Sequence, residues 1–190
     1  MRRSAKAAFW AGCLLILGSL GLLTVFQVRA HRAREANAEI VRTMEAILPA
    51  PREGAADTYR NMEMPVLEIG GEDFVALLEV PAFGLALPVG ADWGAEQAHP
   101  CRFWGSVYDG SFIVGGYDQA GQFDFFDRIL DGAAVTVTDM TGAVFSYVVE
   151  RVERSDSAEA EVLMDSGAEL TLFVRHAHLL EYIILRCVGE

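Results

Sequence analysis

The stretch Glu169 to Cys187, ELTLFVRHAHLLEYIILRC, decides how the rest of the chain is read. Leu170, Leu172 and Val174 alternate with Thr171 and Phe173, the period-2 pattern of a half-buried strand. That strand ends on Arg175, followed by His176 and His178, and a second apolar run, YIILRCV, leads back. An arginine at the end of a buried strand cannot be left unpaired in the interior, because an isolated buried charge is too costly. The pattern therefore predicts that Arg175 reaches solvent or an acid, with Asp118, Asp124 and Glu181 as candidate partners.

Further short runs of the same kind precede it. FVALLEV (Phe74 to Val80) stops at Pro81, and GLALPV (Gly84 to Val89) follows at once. SFIVGG (Ser111 to Gly116) is a third. In AAVTVTDMTGAVFSYVVERVE, alternating Val135 to Thr138 meets the turn residues Asp139-Met140-Thr141-Gly142, and Val144 to Val152 returns, which reads as a hairpin. QFDFFDRIL (Gln122 to Leu130) is expected to be a short helix with Phe123, Phe125 and Phe126 on its core face. Seven or eight strands without alternating helices predict a mostly β, closed or partly closed barrel over residues 65–190.

The N-terminus has a different composition. Ala7 to Val28 is a run of 22 uncharged residues. As a helix it spans roughly 30 Å, the thickness of a bilayer's hydrocarbon core. Arg2, Arg3 and Lys6 before it favour a cytoplasmic N-terminus, so the chain is expected at the cell membrane, single-pass, with residues 1–28 as tip and anchor. The run is longer than the apolar part of a cleaved signal peptide. Residues 29–48 read as a juxtamembrane helix, in which Ile40, Met44 and Ile47 form a stripe that packs on the domain or on a second copy. Residues 49–64 read as a linker. Net charge is −12 overall, and residues 49–190 hold eight arginines against 24 acids. A domain this acidic has no footprint for nucleic acid. Oligomeric state is not encoded in any recognisable feature.

The order of these elements resembles the sortases, membrane-anchored cysteine transpeptidases of Gram-positive bacteria built on an eight-stranded β-barrel. LLEVPAFGLALPV is similar to the family's opening pair of strands, HPCRFWGSVYDGSFIVGGYDQAGQFDFFDRIL with the hairpin after it to the central block, and ELTLFVRHAHLLEYIILRC to the closing pair. The resemblance covers most of residues 74–190 and implies no cofactor. It also implies a catalytic histidine, cysteine and arginine, for thioester formation, proton transfer and oxyanion stabilisation. On this sequence those positions fall on Gly116, Arg175 and Tyr182. In TLFVR, Val174 replaces the threonine expected before the nucleophile. None of the three substituted groups can do the original chemistry.

The resemblance therefore implies a barrel that keeps its groove without the triad and binds a peptide or surface protein. Arg175, His176, His178 and Tyr117 are the groove-binding candidates, with a preference for acidic ligands. Two alternatives stay open. One is an active sortase with a displaced site, pairing Cys101 or Cys187 with His99 or His178. The other is an assembly partner acting through the helix Ala30 to Leu48. Cys101 and Cys187 are either a disulfide, permitted outside the cytoplasm, or two buried thiols. His176 and His178 share a strand face, but no third ligand at useful spacing follows, so no metal site is expected.

Overall fold

The computed structural model describes residues 2–54, 59, 62–94, 98–164, 167–175 and 181–190. His176 and His178 lie outside them. The described chain begins with one continuous helix, α1 (Arg2–Ile47). Its apolar side chains from Leu14 to Val28 are exposed, and it is the one described helix long and apolar enough to cross a membrane. Such a helix fits a single-pass anchor.

Beyond the apolar run α1 changes role. Val41 and Met44 are buried against Phe74 and Leu77 of the domain, with Ile40 packed alongside. Asn37 donates to the Gly121 carbonyl, and Arg34 pairs with Asp124 at 2.7 Å. The apolar stripe thus packs on its own domain, while Ile47 stays exposed. Arg52–Glu53 (β1), inside the stretch read as a linker, pairs in parallel with a later strand at Ala143 and Val144.

Strands β2 (Leu67–Ile69), β3 (Glu72–Val80), β4 (Leu85–Gly90), β5 (Cys101–Trp104), β6 (Phe112–Tyr117), β7 (Ala134–Asp139), β8 (Ala143–Ser155), β9 (Leu170–Arg175) and β10 (Tyr182–Gly189) complete the sheet. The pairing runs β8-β10-β9-β6-β5-β4-β3, and β7 joins β3 to β8, which closes eight strands into a barrel. Most neighbours are antiparallel; β4–β5 and β6–β9 are parallel. The expected barrel is therefore present. Alternation works as it should: Leu170, Leu172 and Val174 of β9 and Ile183, Leu185 and Cys187 of β10 enter the main core. Phe173 and Ile184 lie on the outer face with Ile113 and Leu163.

The hairpin turn is held by Asp139, fully buried, which accepts from the backbone N–H groups of Thr141 and Ala143 and from the Tyr108 hydroxyl. The expected helix over Gln122 to Leu130 is replaced by turns and a 3-10 turn at Phe126–Arg128. Phe123, Phe125 and Phe126 all reach the core and pack on each other. Neighbours at positions 125 and 126 cannot share one helical stripe, so burying all three rings favours turns. The short α-helix is instead α2 (Ala160–Met164), laid over the outer face of β9 and β10.

Candidate functional site

The parallel pairing of β6 with β9 sets Tyr117 opposite Arg175, and the antiparallel β10 sets Tyr182 opposite Arg175 on the other side. One row across three strands thus carries Tyr117, Arg175 and Tyr182. Val174 points into the core, so Arg175, one residue on, projects outward. It is exposed. Asp124 is taken by Arg34 and Glu181 by Arg154. Asp118 lines a separate crevice against α1, with Arg29 and Asn37. Arg175 has no ion-pair partner among the described residues and faces solvent.

Arg175 stands over a cleft of about 290 Å³ floored by aromatic rings. Trp93 lies 5.3 Å from Phe173, 6.0 Å from Phe103 and 6.1 Å from Tyr117, centroid to centroid, and Tyr182 completes the wall. Gly115 permits this arrangement. A Cβ there would run into Trp93 and Phe173, so glycine is what lets the indole lie against β6. Gly116 is different. Its missing side chain would point into the barrel, 2.6 Å from the Phe123 ring, so an imidazole has no room there in this backbone. Tyr117, and not Gly116, shares the cleft with Arg175.

The cleft's chemistry follows from these groups. A guanidinium can grip a carboxylate with two parallel hydrogen bonds. Aromatic faces accept apolar side chains. No thiol or imidazole lines the cleft among the described residues.

A second depression, about 240 Å³, lies on the other side of Gly94. It brings together Glu72 and Asp73 of β3, Asp92, His99 and Cys101. Cys101 Sγ and His99 Nε2 both press on Gly90, 2.6 and 3.1 Å from where its Cβ would be, and the thiol donates to the His99 carbonyl at 3.5 Å. His99 Nδ1 faces the Glu72 carboxylate across 4.0 Å. Burial outweighs the pull of Glu72 and holds the imidazole below its ordinary pKa. Burial, with help from the Glu72 and Asp92 charges, pushes the Cys101 thiol up to about 11 against the backbone hydrogen bond at Gly90. A thiolate–imidazolium pair needs both shifts reversed.

No disulfide forms. Cys101 and Cys187 are free, buried thiols. They sit on β5 and β10, three strand spacings or ~14 Å apart along the sheet, beyond the ~7 Å reach of a bridge. Burial alone pushes the Cys187 thiol up to about 12, which suits a core side chain. No group of three metal-ligating side chains occurs among the described residues.

Sequence reading missed Trp93 and Phe103 in the cleft and the structural part played by Arg186. That guanidinium is 3% exposed. It donates to the Val162 and Leu163 carbonyls that end α2, to Thr171 and to Glu153. Alternation on β10, which puts 186 on the same face as 182 and 184, was the available signal; the covering helix was not.

No protein-family model and no curated protein matches this chain. Solved structures do. Sortase A of Listeria monocytogenes is 16% identical with a TM-score of 0.52, over 62% of this chain and 87% of that one. Sortase C1 of Streptococcus agalactiae is 16% identical with a TM-score of 0.53, over 86% and 90%. Sortase E of Streptomyces avermitilis is 19% identical with a TM-score of 0.51, over 62% and 88%. The chain has the sortase fold.

Proposed function

We propose that this sortase-fold barrel is a membrane-held binding module without transpeptidase chemistry, and that its cleft takes an extended peptide bearing a carboxylate beside an apolar side chain. The N-terminus lies in the cytoplasm and α1 holds the domain on the outer surface. The supporting observation is the row Tyr117–Arg175–Tyr182 across β6, β9 and β10. On the resemblance, Arg175 takes the position of the nucleophile and Tyr182 that of the oxyanion donor, while the position of the base, Gly116, has no side chain. A guanidinium cannot attack a carbonyl, and a glycine has no side chain with which to move a proton. An aromatic floor under an exposed guanidinium selects for apolar surface with a negative end.

The test uses the full chain in detergent micelles and a pair of fluorescent peptides, identical except for Asp or Asn beside a Leu. Polarisation titrations are expected to show the Asp peptide binding about tenfold or more tighter, a margin that Arg175→Ala abolishes. Equal affinity for both peptides in the parent protein removes the proposal. So does formation of a thioester with either peptide, detected as a mass adduct.

A further inference from the structure

We infer that the acidic pocket beside Cys101 is a binding site for a primary ammonium group, held between the His99 imidazole and the Glu72 carboxylate. The inference does not depend on what the aromatic cleft binds.

Three carboxylates, Glu72, Asp73 and Asp92, line the pocket. Acidic clusters are common on so acidic a domain and specify nothing by themselves. The imidazole does. His99 is 7% exposed, and its Nδ1 is the one buried side-chain nitrogen or oxygen without a hydrogen-bond partner among the described residues. Such atoms are rare because an unmet buried polar group is destabilising. The ring packs against Phe74, 4.8 Å between centroids.

The geometry selects the ligand. Nε2 faces Gly90 and Cys101; with the ring proton there, Nδ1 is an acceptor. Nδ1 and Glu72 Oε2 are 4.0 Å apart, too far to bond each other. A single nitrogen about 2.9 Å from each satisfies both with two N–H bonds, and the half-exposed Glu72 side chain is the group that moves to admit it to the buried Nδ1. Asp73 and Asp92 add negative charge at the mouth, so a cation is preferred over a neutral amide. Arg102 stands 3.9 Å from Asp92, and among the described residues Glu72 and Asp73 have no arginine or lysine partner. A metal ion fits less well, since no set of three donors converges there among the described residues. The ligand class is thus the end of an alkylamine, such as a lysine side chain.

The experiment follows the His99 ring nitrogens by NMR in the full chain in micelles while n-butylammonium chloride is added. Tetramethylammonium, with the same charge and no N–H, and sodium chloride serve as controls, and zinc chloride forms a separate arm. A saturable Nδ1 shift is expected with butylammonium alone. Glu72→Gln should weaken it about tenfold to a hundredfold, the loss of a charge-assisted hydrogen bond. Glu72 is half-exposed, so this variant keeps the fold. The inference fails if tetramethylammonium produces the same shift, if no saturable shift occurs, or if Glu72→Gln binds as the parent does. Saturation of the same nitrogen by zinc at lower concentration than by the amine would replace it with a metal site.

Discussion

Gly94 lines two depressions of opposite chemistry. The aromatic cleft lies at the ends of β6 and β9, is open to solvent, and carries the Arg175 guanidinium. The acidic pocket has the sulfur, an imidazole and a carboxylate beside that imidazole. What separates a thiol from a nucleophile is the field around it. In the acidic pocket, burial raises Cys101 and lowers His99, and neighbouring carboxylates oppose a thiolate further. The cleft has access without the reactive group, and the pocket has the group without access or charge support.

Moving a thiol between the two regions is the sharpest way to break this contrast. Arg175→Cys, made in a Cys13→Ala background, should place an ordinary exposed thiol in the cleft. With its pKa near ~8.5 against about 11 for Cys101, the difference in thiolate fraction alone gives roughly 300-fold faster labelling by a maleimide at pH 7.5. Comparable rates for the introduced thiol and Cys101 would reverse the comparison. A His99→Ala variant that then slowed Cys101 would revive the displaced thiol site.

The cleft arginine and the buried arginine should separate by stability. Arg186→Leu takes one of two arginine donors from Glu153 and the donors from two helix-ending carbonyls, and about 3 kcal/mol of unfolding free energy should be lost in a urea titration. Arg175→Ala touches an exposed side chain and should stay within about 0.5 kcal/mol. Equal losses would make Arg175 a structural residue and weaken the case for a ligand. A further effect belongs to alkaline pH. Folding holds both thiols well above their ordinary pKa, so that part of the stability is whole below about pH 9 and lost as pH rises. Each thiol should contribute a decline of about 1.4 kcal/mol per pH unit there, and Cys187→Ala should remove one share.

How much of this was legible depends on how local each cause is. The strands β3, β4, β6, β7, β8, β9 and β10 announce themselves by alternation and by turn residues between them, so the barrel could be read. β5 could not: CRFW is too short to show a period. The outward projection of Arg175 follows from parity on β9, which is local. Trp93 and Phe103 reach the cleft from a loop and a short strand far away in sequence, and the approach of Trp93 depends on Gly115. The acidic pocket needs the β3–β4–β5 pairings before Glu72 can meet His99. Arg186 sits on the outer face by parity and reads as exposed until α2 folds over it.

The contrast can also be sharpened from the acid side, where the expected effect is smallest. Burial lowers the His99 pKa from its usual 6.5, and the Glu72 carboxylate pulls it back part of the way. A group whose folded pKa is depressed contributes stability that is whole above 6.5 and is lost as pH falls. Asp73, Asp92 and Cys101 also line the pocket, and Cys101 stays neutral throughout this range. Melting curves between pH 7.5 and 5.0 should therefore show a shallow decline in Tm. Glu72→Gln removes the charge that offsets burial, so its decline should be steeper than the parent's. Replacing the imidazole by His99→Gln should flatten it. Glu153, whose burial is outweighed by hydrogen bonds from Arg186 and Arg151, titrates below 4.5 and leaves this window clear. A Glu72→Gln decline no steeper than the parent's would mean that Glu72 does not act on Nδ1. The electrostatic side of the contrast, and the ammonium site that shares the same atoms, would then both lose their footing.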